Sequence, residues 1–151
     1  MKYKLGLIGC GTVGQGLLEI LAKKGAQLKK DFGFEAKVVA ITDKLKGTLM
    51  VPAGIDNKKV LALLAQGKTL GDYRPGKKPI EMDPLDVIAA CGADIIAELS
   101  YTNIKTGEPA TSYIKKALQA GKHVVTSNKG PAALHYRELQ DLARKKKVYF
   151  R

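Results

Sequence analysis

Gly9, Gly11 and Gly14 stand at GxGxxG spacing inside YKLGLIGCGTVGQG (3–16), directly after Leu5, Leu7 and Ile8 and directly before Leu17, Leu18 and Leu21. Each glycine has a mechanical use if this turn carries phosphate. Gly9 allows the tight bend, Gly11 lets the main chain approach a pyrophosphate, and Gly14 lets a helix pack close to a strand. The unpaired N–H groups of the helix start, Thr12 and Val13 included, then face the anion with the positive end of the helix dipole behind them. Further groups are of the right type to complete such a site. Asp43, closing a β-branched run, is a carboxylate able to accept hydrogen bonds from ribose hydroxyls. It falls 29 residues beyond Gly14, against a usual spacing of about 20, and the longer first connection accounts for the difference. Lys44 and Lys46 beside it would favour a 2′-phosphate, so both NAD and NADP stay open as cofactor. Ser100-Tyr101-Thr102-Asn103 and Ser127-Asn128-Lys129 are polar segments following apolar runs.

The elements that must position these groups are readable from periodicity. Strands are expected at 3–8, 36–42, 94–99, 122–126 and 148–150, the first of them suited to burial on both faces. Between them, helices are expected from Thr12 to Lys24 with Gly25 as the stop, and from Asp56 as N-cap to Gly67. A third should run from Asp83 and Pro84 to Gly92, and a fourth from Thr106 or Gly107 to Gly121. A last helix should carry Leu134, Leu139, Leu142 and Ala143 inward. Gly47 to Ile55 reads as a loop and Gly67 to Pro79 as a surface excursion. The alternation implies an α/β fold: a doubly wound parallel sheet of Rossmann type, about five strands in the order 3-2-1-4-5, in three αβα layers. Numbering the expected strands as above, that order sets strands one and four side by side. The Gly9 turn and the segments at Ser100 and Asn128 would then border one crevice at the carboxyl edge, where open parallel sheets bind ligands.

Size and composition narrow the function. At 151 residues the chain is one domain, read here as a dinucleotide-binding domain over 1–151. No apolar run approaches the ~20 residues a bilayer span needs, and Met1-Lys2 leads straight into the first strand, so the protein is expected to be cytoplasmic, with no membrane partner. The two cysteines, Cys10 and Cys91, lack metal-ligand spacing, and no metal site is expected; Cys10 reads as a small buried filler. The net charge of +12 raises nucleic acid as a partner, but the lysines are scattered in pairs at helix ends without an aromatic platform, so none is expected. His123 lies in a strand pattern and reads as structural.

Three segments together resemble homoserine dehydrogenase: GCGTVGQG, IIAELSYTNIKTGEPA and ALQAGKHVVTSNKGPAAL. The likeness covers nearly the whole chain and is weakest between Lys46 and Met82. It implies an oxidoreductase that transfers hydride between a nicotinamide cofactor, NAD or NADP, and aspartate semialdehyde/homoserine, in threonine, methionine and isoleucine biosynthesis. By matching motif, the resemblance makes the backbone at Gly11, Thr12, Val13 and Gly14 the pyrophosphate cradle, with Gly9 in the same cofactor-binding turn. Ser100, Thr102 and Asn128 become cofactor contacts, and Lys129 a residue near both nicotinamide and substrate with a catalytic role. Ser127 departs mildly from the small residue usual before that Asn-Lys pair. The family continues with a second domain that provides dimer contacts, a metal-ion loop and further catalytic groups. This chain is therefore expected to be either the cofactor domain excised from a homodimeric parent, which its stop on a strand favours, or a natural half-enzyme, in both cases binding cofactor without turnover. Alternatives are another NAD(P)-dependent oxidoreductase of the same architecture and a non-catalytic nucleotide-sensing domain.

Overall fold

The computed structural model describes residues 1–151. β1 (Lys2–Ile8) leads into α1 (Thr12–Phe32), then β2 (Glu35–Asp43), β3 (Gly47–Met50) and α2 (Asn57–Ala65). A short 3-10 turn at Leu70–Tyr73 follows, then α3 (Pro84–Ala90), β4 (Ile95–Glu98), α4 (Ala110–Gln119), β5 (His123–Thr126), α5 (Lys129–Leu134) and α6 (Tyr136–Lys146). The five strands form one sheet in the order β3-β2-β1-β4-β5. β1 pairs in parallel with β2 and with β4, and β4 with β5, whereas β3 runs antiparallel to β2. Two apolar clusters lie on opposite sides of the sheet. One joins β-strand residues such as Ile8 and Ile96 to α3, α4 and α6; the other joins Leu5, Leu7 and Ile41 to α1 and α2. The three-layer arrangement follows from strands that are apolar on both faces and amphipathic helices that need cover on one. No helix is long and apolar enough to cross a membrane.

The expected order 3-2-1-4-5 is found, but its members differ. The third strand is Gly47–Met50, expected as a loop, and it sits at the edge because the 43–46 turn reverses the chain. The segment expected as strand three is β4 and lies beside β1, while the segment at 122–126 pairs with β4 rather than with β1. Val148–Phe150 makes only an isolated bridge between Phe150 and Val124. α1 runs past Gly25 to Gly33, because Gly25 remains helical and Gly33, at φ 61°, is the residue that adopts the left-handed stop, its N–H returning to the Lys29 carbonyl and the following Phe34 N–H to that of Leu28. Thr106 and Gly107 lie in a turn before α4, whose N-cap is Pro109. The last expected helix is two helices broken at His135, and Leu134 is exposed rather than inward. The stretch from 67 to 79 is anchored by Leu70, which is buried under β3.

Candidate functional site

The β1–α1 turn is held by glycines for three separate reasons. Gly9 has φ +99°, and a Cβ there would lie 2.5 Å from the Leu99 carbonyl oxygen. Its N–H donates to the Thr42 carbonyl at 2.7 Å, so this residue is pressed between the ends of β2 and β4. At Gly14 a Cβ would meet the Gly9 carbonyl oxygen at 2.6 Å, which fixes how closely α1 can approach β1. Gly11 is different: nothing lies within 4 Å of a Cβ placed there. It is the N-cap of α1, makes no side-chain cap, and the first helical turn carries no acidic residue. The N–H groups at this end are therefore left to an external acceptor. Thr12 and Val13 are exposed beside it.

Asp43 ends β2 and reaches across to the same turn. Its Oδ2 accepts the Cys10 N–H at 2.7 Å, and its Oδ1 accepts the N–H groups of Leu45 and Lys46 at 2.9 and 3.0 Å. Partial burial pushes this carboxyl up, but the three main-chain donors, with the Lys46 ammonium behind them, outweigh that and hold it below its ordinary value. The carboxylate thus shapes the 43–46 turn and keeps one acceptor position on Oδ2. Cys10 is fully buried, and burial, followed by the charge of Asp43, pushes its thiol up to about 11. That agrees with a filler and not a reactive thiolate.

On the other side of β1 the organising group is Glu98, which the sequence reading did not single out. It is 0% exposed at the end of β4. Oε1 accepts the Ser100 N–H at 2.9 Å and the Ser100 hydroxyl at 2.5 Å. Oε2 accepts Asn128 Nδ2–H at 2.6 Å and lies 2.9 Å from Thr126 Oγ1. The second Asn128 Nδ2 proton goes to the Ser100 carbonyl at 2.8 Å, and Thr126 Oγ1 accepts the Asn128 N–H at 3.0 Å. An acid in an otherwise apolar strand was the available signal, since glutamate is almost never fully buried without partners. Thr102 packs its methyl against Gly130, where a Cβ would come within 2.7 Å, and its hydroxyl is buried without a partner. Lys129 opens α5, is exposed and takes part in no ion pair. His123 accepts the Tyr149 N–H through Nδ1 at 3.0 Å and stacks on that ring, a structural role as expected.

A cavity of about 490 Å³ opens above the turn. Of the sequence-derived residues it gathers Gly9, Gly11, Asp43, Lys44, Lys46 and Ser100; Thr12, Val13, Gly14, Thr102, Asn128 and Lys129 are not part of its wall. Its apolar side, absent from the sequence reading, is made by Leu45, Pro84, Pro109 and Tyr113. The Tyr113 phenol is pushed up by partial burial and by the nearby acids Asp83, Glu98 and Glu108. A slot with an apolar wall, an uncapped helix start and a carboxylate fits a phosphate-bearing ligand with a planar end.

Comparison with known proteins meets the same description. Residues 9–151 match the family model "Homoserine dehydrogenase, NAD binding domain". The chain is 44% identical over 151 residues to the NAD(+)-dependent homoserine dehydrogenase of Pseudomonas canavaninivorans, covering 99% of this chain and 42% of that protein. It is 39% identical over 145 residues to the homoserine dehydrogenase of Methanocaldococcus jannaschii, covering 96% of this chain and 42% of the relative. Among solved structures, a hyperthermophilic archaeal homoserine dehydrogenase in complex with NADPH superposes with a TM-score of 0.82 at 29% identity, over 99% of this chain and 43% of that one. The chain thus spans about two fifths of the length of these relatives.

Proposed function

Because this chain belongs to the homoserine dehydrogenase family, as its NAD-binding domain, we propose that it holds the nicotinamide cofactor of an enzyme interconverting homoserine and aspartate semialdehyde. When bound, the cofactor supplies the hydride chemistry. The chain's residues bind and orient it. The N–H groups of Gly11, Thr12, Val13 and Gly14 face the pyrophosphate. Asp43 offers its remaining acceptor position to a ribose hydroxyl, and Lys44 at the same mouth meets a 2′-phosphate, so the site takes both NAD and NADP. Ser100 lines the nicotinamide end, Thr102 and Asn128 are further cofactor contacts beyond the cavity wall, and Lys129 orients the substrate and stabilises its charge. The observation that carries this reading is the open face of Gly11, with no atom within 4 Å of a Cβ position, at the foot of the 490 Å³ cavity.

The rest of the parent protein, which the length of the relatives leaves room for, would provide the general acid for the forming alkoxide and the dimer contacts. Calorimetry of the 151-residue chain with NADH and NADPH tests the binding half, and both should bind without turnover. Assay of the full-length parent with homoserine tests the reaction. Absence of homoserine oxidation by a folded parent that binds either cofactor would remove the substrate assignment and leave the cofactor one standing.

A further inference from the structure

We propose that Glu98 is a positioning residue for the nicotinamide end of the dinucleotide, clamping the segment after β4 to the segment after β5; this rests on the dinucleotide reading above. The clamp is anchored on a buried acid, and Ser100, Thr126 and Asn128 around it are partly buried. The carboxylate is fully buried, no ion pair includes it, and its partners are neutral donors. Two of these, the N–H and O–H of Ser100, sit two residues downstream; the others, Thr126 and Asn128, come from 28 and 30 residues away. Asn128 then closes the circuit by donating to the Ser100 carbonyl at 2.8 Å. The result is a ring of bonds from Oε1 through Ser100, across to Asn128 and back to Oε2. The Asn128–Ser100 bond joins the two segments directly, and the carboxylate adds the second link, fixing both partners at once. Asn128 is also the N-cap of α5, whose first residue is Lys129, so the ring fixes where that lysine starts.

The adenosine side has its own support. Asp43 accepts from Cys10, Leu45 and Lys46, and shares no partner with Glu98. Disturbing Glu98 therefore changes one end of the ligand and not the other.

Glu98→Gln makes this testable because it keeps the size and changes one atom's role. The amide oxygen can still accept from Ser100. The amide nitrogen then faces Asn128 Nδ2, donor against donor. If the Asn128 amide turns over to relieve this, its oxygen faces the Ser100 carbonyl and that bond is lost instead. Either way one of the two links between the segments is lost.

The experiment compares NADH with ADP-ribose, which lacks nicotinamide, by calorimetry on the whole chain and on Glu98→Gln. The expected result is a loss of about tenfold in NADH affinity, the cost of one buried donor left without an acceptor, with ADP-ribose changed less than about twofold. In nuclear magnetic resonance spectra of the unliganded variant, the Asn128 side-chain amide should move while the Cys10 main-chain amide, held by Asp43, stays. Where Glu98→Gln does not fold, Glu98→Asp replaces it. That variant keeps the charge but withdraws the carboxylate by about 1.5 Å, too far to serve both segments, and should give the same one-sided loss. A purely structural role would weaken both ligands in step. An unchanged ratio of the two affinities in a folded variant overturns the proposal. Failure of the unsubstituted chain to bind either ligand overturns the dinucleotide reading itself.

Discussion

Gly11→Ala separates a glycine needed for the fold from one needed for the ligand. A Cβ at Gly11 meets nothing within 4 Å, and the backbone there is extended at φ −76°. Losing glycine at an N-cap costs about 0.5–1 kcal/mol, and restricting the unfolded chain returns about 0.4–1 kcal/mol. Stability should therefore hardly change. The ligand meets the methyl directly, because Gly11 stands at the uncapped start of α1. Moving the pyrophosphate off even one charge-assisted N–H bond costs about 1.5–3 kcal/mol, tenfold to 150-fold in Kd. Gly14→Ala should behave in the opposite way. Its Cβ would lie 2.6 Å from the Gly9 carbonyl oxygen, and relieving that overlap should cost about 1–3 kcal/mol of stability. Urea unfolding of both variants, with NADH and NADPH calorimetry on Gly11→Ala, gives the comparison. A folded Gly11→Ala that binds within about twofold of the parent chain, less than the loss of any single bond would allow, would refute the assignment of the turn to phosphate.

The Asp43 carboxyl is held below its ordinary value in the fold, so its contribution is complete above the unfolded value of about 4 and disappears as pH falls through the lower folded one. Asp43→Asn should cost about 1–3 kcal/mol at neutral pH and flatten the loss of stability below about pH 4, read from urea midpoints across that range. Lys44→Ala should weaken NADPH by about threefold to tenfold, less at high salt, and leave NADH unaffected, as expected for an exposed cation meeting a 2′-phosphate. Equal losses for both cofactors would remove Lys44 from the 2′ position. Neither cysteine should react with a thiol reagent at about pH 8 in the native protein, since both are buried and Cys10 is pushed up to about 11. Both should react once urea unfolds the chain, and fast native labelling of Cys10 would contradict the packing described.

The parts of this site that were legible in the sequence are those built from neighbours along the chain. The glycine turn, the Asp56 and Asp83 caps and the inward face of Ile114, Ala117 and Leu118 depend on spacings of one to four residues, which a sequence displays directly. β3 was missed because the four residues Gly47–Met50 are too few to show alternation, and what makes them a strand is pairing with β2. The end of α1 was misplaced because Gly25 and Gly33 look alike in sequence; only the second has the positive φ of a stop. Glu98 was missed because its meaning lies in Thr126 and Asn128, and no local pattern announces a bond across some thirty residues.

The two carboxylates nevertheless occupy comparable places. β1 is the strand at which the connections part: its register sets Ile8 level with Thr42 on β2 and with Glu98 on β4. Asp43 is one residue past the first of these, and Glu98 is the second. Each acid thus ends a strand flanking β1 and accepts donors from a loop that another strand launches, Cys10 for Asp43 and Asn128 for Glu98. A parallel sheet leaves such loops unsupported at its carboxyl edge, because no hairpin ties one to the next. A carboxylate at the last position of each flanking strand, fully buried in Glu98 and partly buried in Asp43, supplies the missing tie. Asp43 braces the loop after β1 against the loop after β2, and Glu98 braces the loop after β4 against the loop after β5.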